Sequence, residues 1–219
     1  MNAVTDEGKT GRPKKTKKSK KTWWRKQRIN ALRVSALLLL PLFVLADPVV
    51  APGTFGFALM DSLGLLLVIT GVLGRFWSIA YIGGRKDALV FQDGPYSICR
   101  HPLYLFSTIG TFGLGLMLGS LIFAVLIAGV TFAVLSLTAA HEEVYLGKEF
   151  GDDYAEYAAR VPRILPDLKL WRTDTMVHMN LTTLRGNLFD ALVFLGFIPL
   201  TRLIVWLRES YGLGLYPVF

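Results

Sequence analysis

The sequence predicts an all-α integral membrane protein with about five transmembrane helices, two of them joined as a tight hairpin. Three observations carry this expectation. The chain of 219 residues is 53% hydrophobic. From His101 to Ala140 it contains no Asp, Glu, Lys or Arg. Its positive charge is gathered at one end: residues 1–28 hold eleven Lys or Arg against Asp6 and Glu7, so the rest of the chain sums to −1 within a total of +8.

The opening residues, including Lys14, Lys15, Lys17, Lys18, Lys20 and Lys21, are too polar to bury a core and are expected to form a disordered cytosolic tail. Such a tail enforces the positive-inside rule and is drawn to anionic lipid headgroups. Its charge alone does not argue for nucleic acid, because no reading module accompanies it, and no nucleic-acid partner is expected. Met1–Lys21 lacks the apolar region of a signal peptide, so the first hydrophobic stretch is expected to remain as an anchor. Trp23-Trp24 beside Arg25, Lys26 and Arg28 reads as an interfacial belt.

The first crossing is expected at about Ala31–Val50, with Asp47-Pro48 and Pro52-Gly53 as its outer turn. A second apolar stretch runs from about Phe55 to Ile82, with Asp61 and Arg75 near opposite ends and able to reach the headgroups. Gly83-Gly84-Arg85-Lys86 leaves that helix, and Asp93-Gly94-Pro95 signals a turn.

The charge-free run from His101 to Ala140 follows. A bilayer core is about 30 Å thick and takes roughly 20 helical residues to cross, so this run is two crossings, about Leu103–Gly119 and Ser120–Ala140. Gly113, Gly115 and Gly119-Ser120 mark where the reversal costs least. A hairpin returns both ends to one membrane face, which brings Arg100-His101-Pro102-Leu103-Tyr104 close to His141-Glu142-Glu143. Beyond it, helical periodicity appears around Glu149–Ala159 and ends before Pro162 and Pro166. A last apolar stretch, about Leu188–Leu207, is a fifth crossing or, given Asp190 and Arg202, an in-plane amphipathic helix. The basic segments at the tail, 84–100 and 160–172 should share the cytosolic side.

Taken singly, the polar residues have ordinary readings. His101 before Pro102 fits a helix N-terminus, Glu142 and Glu143 fit surface solvation, and Tyr154 and Tyr157 fit interface aromatics. Cys99 is the only cysteine, which excludes an internal disulfide. His141-Glu142-Glu143 lacks a second His at metal-ligand spacing, and no metal site is expected. No Gly-rich phosphate loop follows a strand, which excludes a soluble nucleotide-binding fold.

Their combination is more specific. Gly94-Pro95-Tyr96, Arg100-His101-Pro102 and Tyr104 precede the hairpin, with Gly74-Arg75-Phe76-Trp77 upstream. Glu142-Glu143, Leu146, Phe150-Gly151, Tyr154, Tyr157, Val161-Pro162-Arg163 and Pro166 follow it. Over about residues 70–170 this order resembles the isoprenylcysteine carboxyl methyltransferase family of integral membrane enzymes and the related phospholipid N-methyltransferases. The resemblance implies a membrane methyltransferase core at 29–172 between the tail, 1–28, and a C-terminal extension, 173–219. It implies S-adenosylmethionine bound by a cytosolic segment and a membrane lipid or lipid-like acceptor. By the same resemblance, Arg100, His101, Tyr104, Glu142, Glu143 and Tyr154 surround the cofactor, with Glu142 or Glu143 as catalytic base where the acceptor is an amine. The sequence departs from the family pattern at Phe106, where a Gly is common, and at Ser136–Ala140, where an Arg is common. The other readings are an NADPH-dependent membrane lipid reductase and a non-enzymatic scaffold. A bacterial cytoplasmic membrane is the expected location, with the endoplasmic reticulum as alternative.

Overall fold

The computed structural model describes residues 50–82, 90–174 and 181–212, with isolated positions at 34, 41, 46–47 and 216–217. The basic tail, the Trp23-Trp24 belt, nearly all of the first expected crossing and the Gly83–Lys86 exit lie outside them. The described fold is all-helical: α1 (Phe55–Ile82), α2 (Pro95–Ile98), α3 (Pro102–Met117), α4 (Leu121–Phe150), α5 (Asp152–Arg160) and α6 (Leu181–Tyr211), with one 3₁₀ turn at Leu168–Leu170. Ala46–Asp47 and Tyr216–Pro217 make a two-residue parallel pairing.

α1 begins where the sequence places the second apolar stretch, behind Thr54, whose Oγ1 accepts from Phe57 N at 3.3 Å. α3 starts with Pro102 at a position that needs no N–H donor. α3 and α4 form the hairpin. The chain reverses through Leu118-Gly119-Ser120, where Gly119 takes φ +77° and Ser120 Oγ accepts from Phe123 N at 3.3 Å.

α1 and α4 are both long and apolar enough to cross a membrane, and α3 is a shorter apolar helix. Only 22% and 28% of the most apolar stretches of α1 and α4 are buried, the reverse of a soluble core helix. Leu59, Leu63, Leu66 and Leu73 of α1 and Leu121, Val125, Phe132 and Leu137 of α4 are exposed. α1 buries its other side against α3 through small residues. A Cβ on Gly64 would stand 2.5 Å from the Gly113 carbonyl oxygen, and one on Gly113 equally close to that of Gly64.

α4 is longer than the expected crossing. It continues unbroken past Ala140 to Phe150, and the helix expected around Glu149–Ala159 is divided by Gly151, whose φ of +55° ends α4 and opens α5. The extension carries Glu142 and Glu143 beyond the charge-free part. α6 spans more than the expected 188–207 and packs against α1, closing the hairpin end in a cluster of Leu118, Phe123, Ile204 and Val205. Arg202 of α6 pairs with Asp61 of α1 at 3.1 Å, so these two charges meet each other. Arg75 donates to Ser107 of α3, also a partner within the protein.

Candidate active site

The site is assembled on two connecting segments lying side by side, one holding α2 and the other the 3₁₀ turn. Residues 94–101 lie along 162–172, and the contacts are largely main-chain. Gly94 N donates to Arg172 O at 2.8 Å, Asp167 N to Ile98 O at 3.0 Å, Arg100 N to Pro162 O at 2.9 Å and His101 N to Arg163 O at 3.1 Å. Arg172 N adds a bond to Ser97 Oγ at 3.1 Å, and the Tyr157 hydroxyl donates to Tyr96 O at 2.8 Å. Neither segment belongs to a sheet, so these bonds satisfy backbone groups that burial would otherwise leave unpaired. They fix Arg100 and His101 at the N-terminus of α3.

The α4 extension meets them there. Glu143 Oε1 accepts from His101 Nε2 at 3.1 Å and from Arg163 Nε at 3.2 Å, and lies 3.3 Å from Arg100 Nη1. Glu142 Oε2 accepts from the Tyr104 hydroxyl at 2.8 Å and lies 3.9 Å from His101 Nδ1. The His101 imidazole therefore lies between the two carboxylates. It is also stacked on the Tyr104 ring, with centroids 5.2 Å apart and planes within 1°.

The carboxylates differ in setting. The Glu143 side chain is 18% exposed and that of Glu142 36%. Burial pushes the Glu143 carboxyl up. The His101 hydrogen bond and the Arg100 and Arg163 charges outweigh it and hold the carboxyl below its ordinary range. Tyr154 is buried within the hydrophobic cluster of Tyr154, Tyr157 and Val161. Burial, then the Glu143 charge, raise its phenol, against the opposing charge of Arg100. Arg100 Nε and the Tyr154 hydroxyl are both buried, and a hydrogen bond from the Arg100 side chain joins its charge in opposing the rise of that phenol.

The structure thus gathers Arg100, His101, Tyr104, Glu142 and Glu143 at one point, with Tyr154 beside them. Arg163 is the member that residue-by-residue reading missed. It stands in the Val161-Pro162-Arg163 run, but its reach to Glu143 depends on the main-chain pairing. Phe106 fills space left by Gly74: a Cβ on Gly74 would stand 2.1 Å from the Phe106 ring, which packs edge-on to Trp77 at 6.2 Å. Among the described residues, no group of three or more His, Cys, Asp or Glu is placed to hold a metal ion.

Residues 59–153, which include most of α1, the Gly94–Tyr104 segment, the hairpin and both glutamates, match the family model described as phospholipid methyltransferase. The isoprenylcysteine O-methyltransferase B of Arabidopsis thaliana is 31% identical over 141 residues, covering 60% of this chain and 72% of that protein. The chain belongs to this methyltransferase family. Two bacterial relatives carry other names. The nickel-cobalt-cadmium resistance protein NccN of Alcaligenes xylosoxydans is 33% identical over 153 residues, 70% of this chain and 71% of the relative. The cobalt-zinc-cadmium resistance protein CzcN of Cupriavidus metallidurans is 35% identical over 144 residues, 66% of each. The chain spans about two thirds of the length of these resistance proteins. No solved structure matches it. The family match ends at Asp153, so Tyr154 and Arg163 lie just outside it.

Proposed function

We propose that this protein is an integral membrane methyltransferase that transfers a methyl group from S-adenosylmethionine to a lipid-like or amphiphilic acceptor. The observation that carries the reading is the convergence of Arg100, His101 and Arg163 on Glu143, with the buried Tyr154 beside them. S-Adenosylmethionine supplies a methyl group on a positively charged sulfur, together with a carboxylate, an ammonium, a ribose diol and an adenine. The residues present fit it. Arg100 Nε and the Tyr154 hydroxyl would hold the carboxylate, a charge-assisted contact. Glu142, the more open glutamate, would accept from the ribose diol or the ammonium. The Tyr154 ring face suits a sulfonium.

The work left to the protein is alignment and the exclusion of water. In-line displacement needs nucleophile and methyl held near contact distance in a dry pocket, which can be worth about 7–11 kcal/mol. A carboxylate or thiolate acceptor needs no base. An amine acceptor must lose a proton, and Glu142 is then the base, because Glu143 already accepts from His101 and Arg163 and lies beside Arg100. The charge-free hairpin and the outward apolar faces of α1 and α4 support placement in a membrane, multi-pass and with the site at the cytosolic leaflet. α6 then supplies a further crossing, its Arg202 neutralised by Asp61.

The names of NccN and CzcN favour one physiological setting: methylation of a membrane component that alters tolerance to divalent metals. The function is tested by titrating detergent-purified protein with S-adenosylmethionine, then following radiolabelled methyl into total membrane lipid. Saturable binding and a labelled amphiphile are expected, and the labelled species identifies the acceptor. Absence of saturable binding overturns the reading.

A further inference from the structure

The segment after α5 is pinned on one side only. Ile164 is buried, and the main-chain bonds to 94–101 hold the inner edge. The outer edge is strongly apolar: Leu165 is 76% exposed, Leu168 73% and Trp171 45%. Single exposed apolar residues are unremarkable, but three at a spacing of three make a stripe. Lys169 is exposed beside them, and Arg172 is half exposed. Between Pro162 and Thr173 there are three basic residues against Asp167 alone.

This stripe continues a surface already assigned. The Trp171 ring packs on Trp77 of α1 with centroids 5.4 Å apart, and Trp77 lies one turn beyond the outward-facing Leu73. Tyr81, a turn further, shares a hydrogen bond with Thr173 at 2.9 Å. The lipid-facing side of α1 therefore passes through paired tryptophans directly into the outer edge of 163–172. Trp and Tyr concentrate at the headgroup level of a bilayer, and basic side chains there meet lipid phosphates.

The geometry points to a second membrane contact: residues 163–172 form a strap whose Leu165, Leu168 and Trp171 insert into the headgroup–acyl boundary of the bilayer that α1 crosses, with Lys169 and Arg172 at phosphate depth. This inference rests on the membrane reading of α1. Its consequence concerns acceptor access. The inner edge of the strap carries Arg163 to Glu143, so docking the outer edge turns the site toward the lipid phase and fixes the depth at which an amphiphile meets it.

The test uses the full chain in vesicles of phosphatidylcholine and phosphatidylglycerol, spin-labelled at Leu168→Cys or, as reference, at Leu66→Cys on the exposed side of α1. Power saturation compares accessibility to oxygen, which concentrates in lipid, with accessibility to a water-soluble nickel chelate. Both positions are expected to favour oxygen, with Leu168→Cys the shallower. If Leu66→Cys favours oxygen and Leu168→Cys favours the chelate, the strap proposal fails while the membrane reading stands. If Leu66→Cys itself favours the chelate, both fail. A Leu165→Glu/Leu168→Glu variant supplies an independent readout. It should keep S-adenosylmethionine binding and lose transfer to bilayer-embedded acceptor; unchanged transfer overturns the proposal.

Discussion

His101 Nε2 reaches Glu143 Oε1 at 3.1 Å across 42 positions of sequence, and an entire membrane-length hairpin lies between them. That distance states what the fold is for. The hairpin uses its apolar length to return the chain to its starting level, where a carboxylate meets an imidazole and two guanidinium groups.

Replacing Glu143 by Gln keeps its shape and removes the charge on which these groups converge. Transfer should fall by about 100-fold or more, the scale of losing a preorganised electrostatic contact, with protein still inserted in membranes. The acid response should change too. A carboxyl whose folded pKa lies below its unfolded one stabilises the fold above its ordinary pKa, and that contribution is lost as pH falls through the lowered value. Thermal unfolding in detergent, followed from pH 7 into the acid range, should show a steeper decline for the native protein than for Glu143→Gln. Parallel curves would count against the ion cluster.

Tyr104→Phe removes one hydrogen bond, that to Glu142. Its stacking on His101 survives, so stability should change by only about 1 kcal/mol. Transfer should weaken less than in Glu143→Gln, with the loss concentrated in KM for S-adenosylmethionine. Steady-state kinetics at varied cofactor concentration would reveal it, and a loss in kcat alone would place Glu142 with the acceptor instead.

Gly64 and Gly113 let the α1 and α3 backbones touch. A side chain at either position must push against main-chain oxygen rather than a flexible neighbour. Gly113→Val should therefore destabilise by about 1–3 kcal/mol, the usual range for overpacking, and lower the melting temperature in detergent. Gly129→Ala on α4, where an added methyl meets open space, should leave it unchanged.

Cys99 is fully buried, and its thiol lies 3.1 Å from the Ile164 carbonyl oxygen. Burial pushes its pKa up to about 12, partly opposed by the His101 backbone and the Arg100 charge. Maleimide at pH 8 should leave the folded protein unmodified and label it rapidly in SDS, as intact mass would record. Rapid labelling in the native state would mean that the two connecting segments part readily.

Much of this was legible in advance, for identifiable reasons. Phe55–Ile82 was legible as an apolar run of about these bounds, between the Pro52-Gly53 turn and the Gly83-Gly84 pair. The reversal at Leu118-Gly119-Ser120 was legible because forty uncharged residues cannot form one helix across a bilayer. The α4 overhang was not legible: Ala140 ends the apolar composition, whereas the helix itself stops only at Gly151, where the backbone turns left-handed. Arg163 was hidden for another reason. Its role comes from main-chain bonds between connecting segments, and such bonds leave no periodicity in side chains. Asp61 and Arg202 looked like separate liabilities until α6 packed on α1.

The pairing of 94–101 with 162–172 also bears on how this chain tolerates change. These bonds use main-chain atoms, so an exposed side chain such as Leu165 or Leu168 can be exchanged while the guanidinium and imidazole heads stay where they are, whereas Gly94, at φ +59° against the Tyr81 ring, cannot. An insertion or deletion is different, because removing one residue between Arg163 and Asp167 displaces the later bonds from Asp167 to Ile98 and from Gly94 to Arg172. The spacing between Pro162 and Arg172 is thus more tightly held than the identity of its exposed side chains.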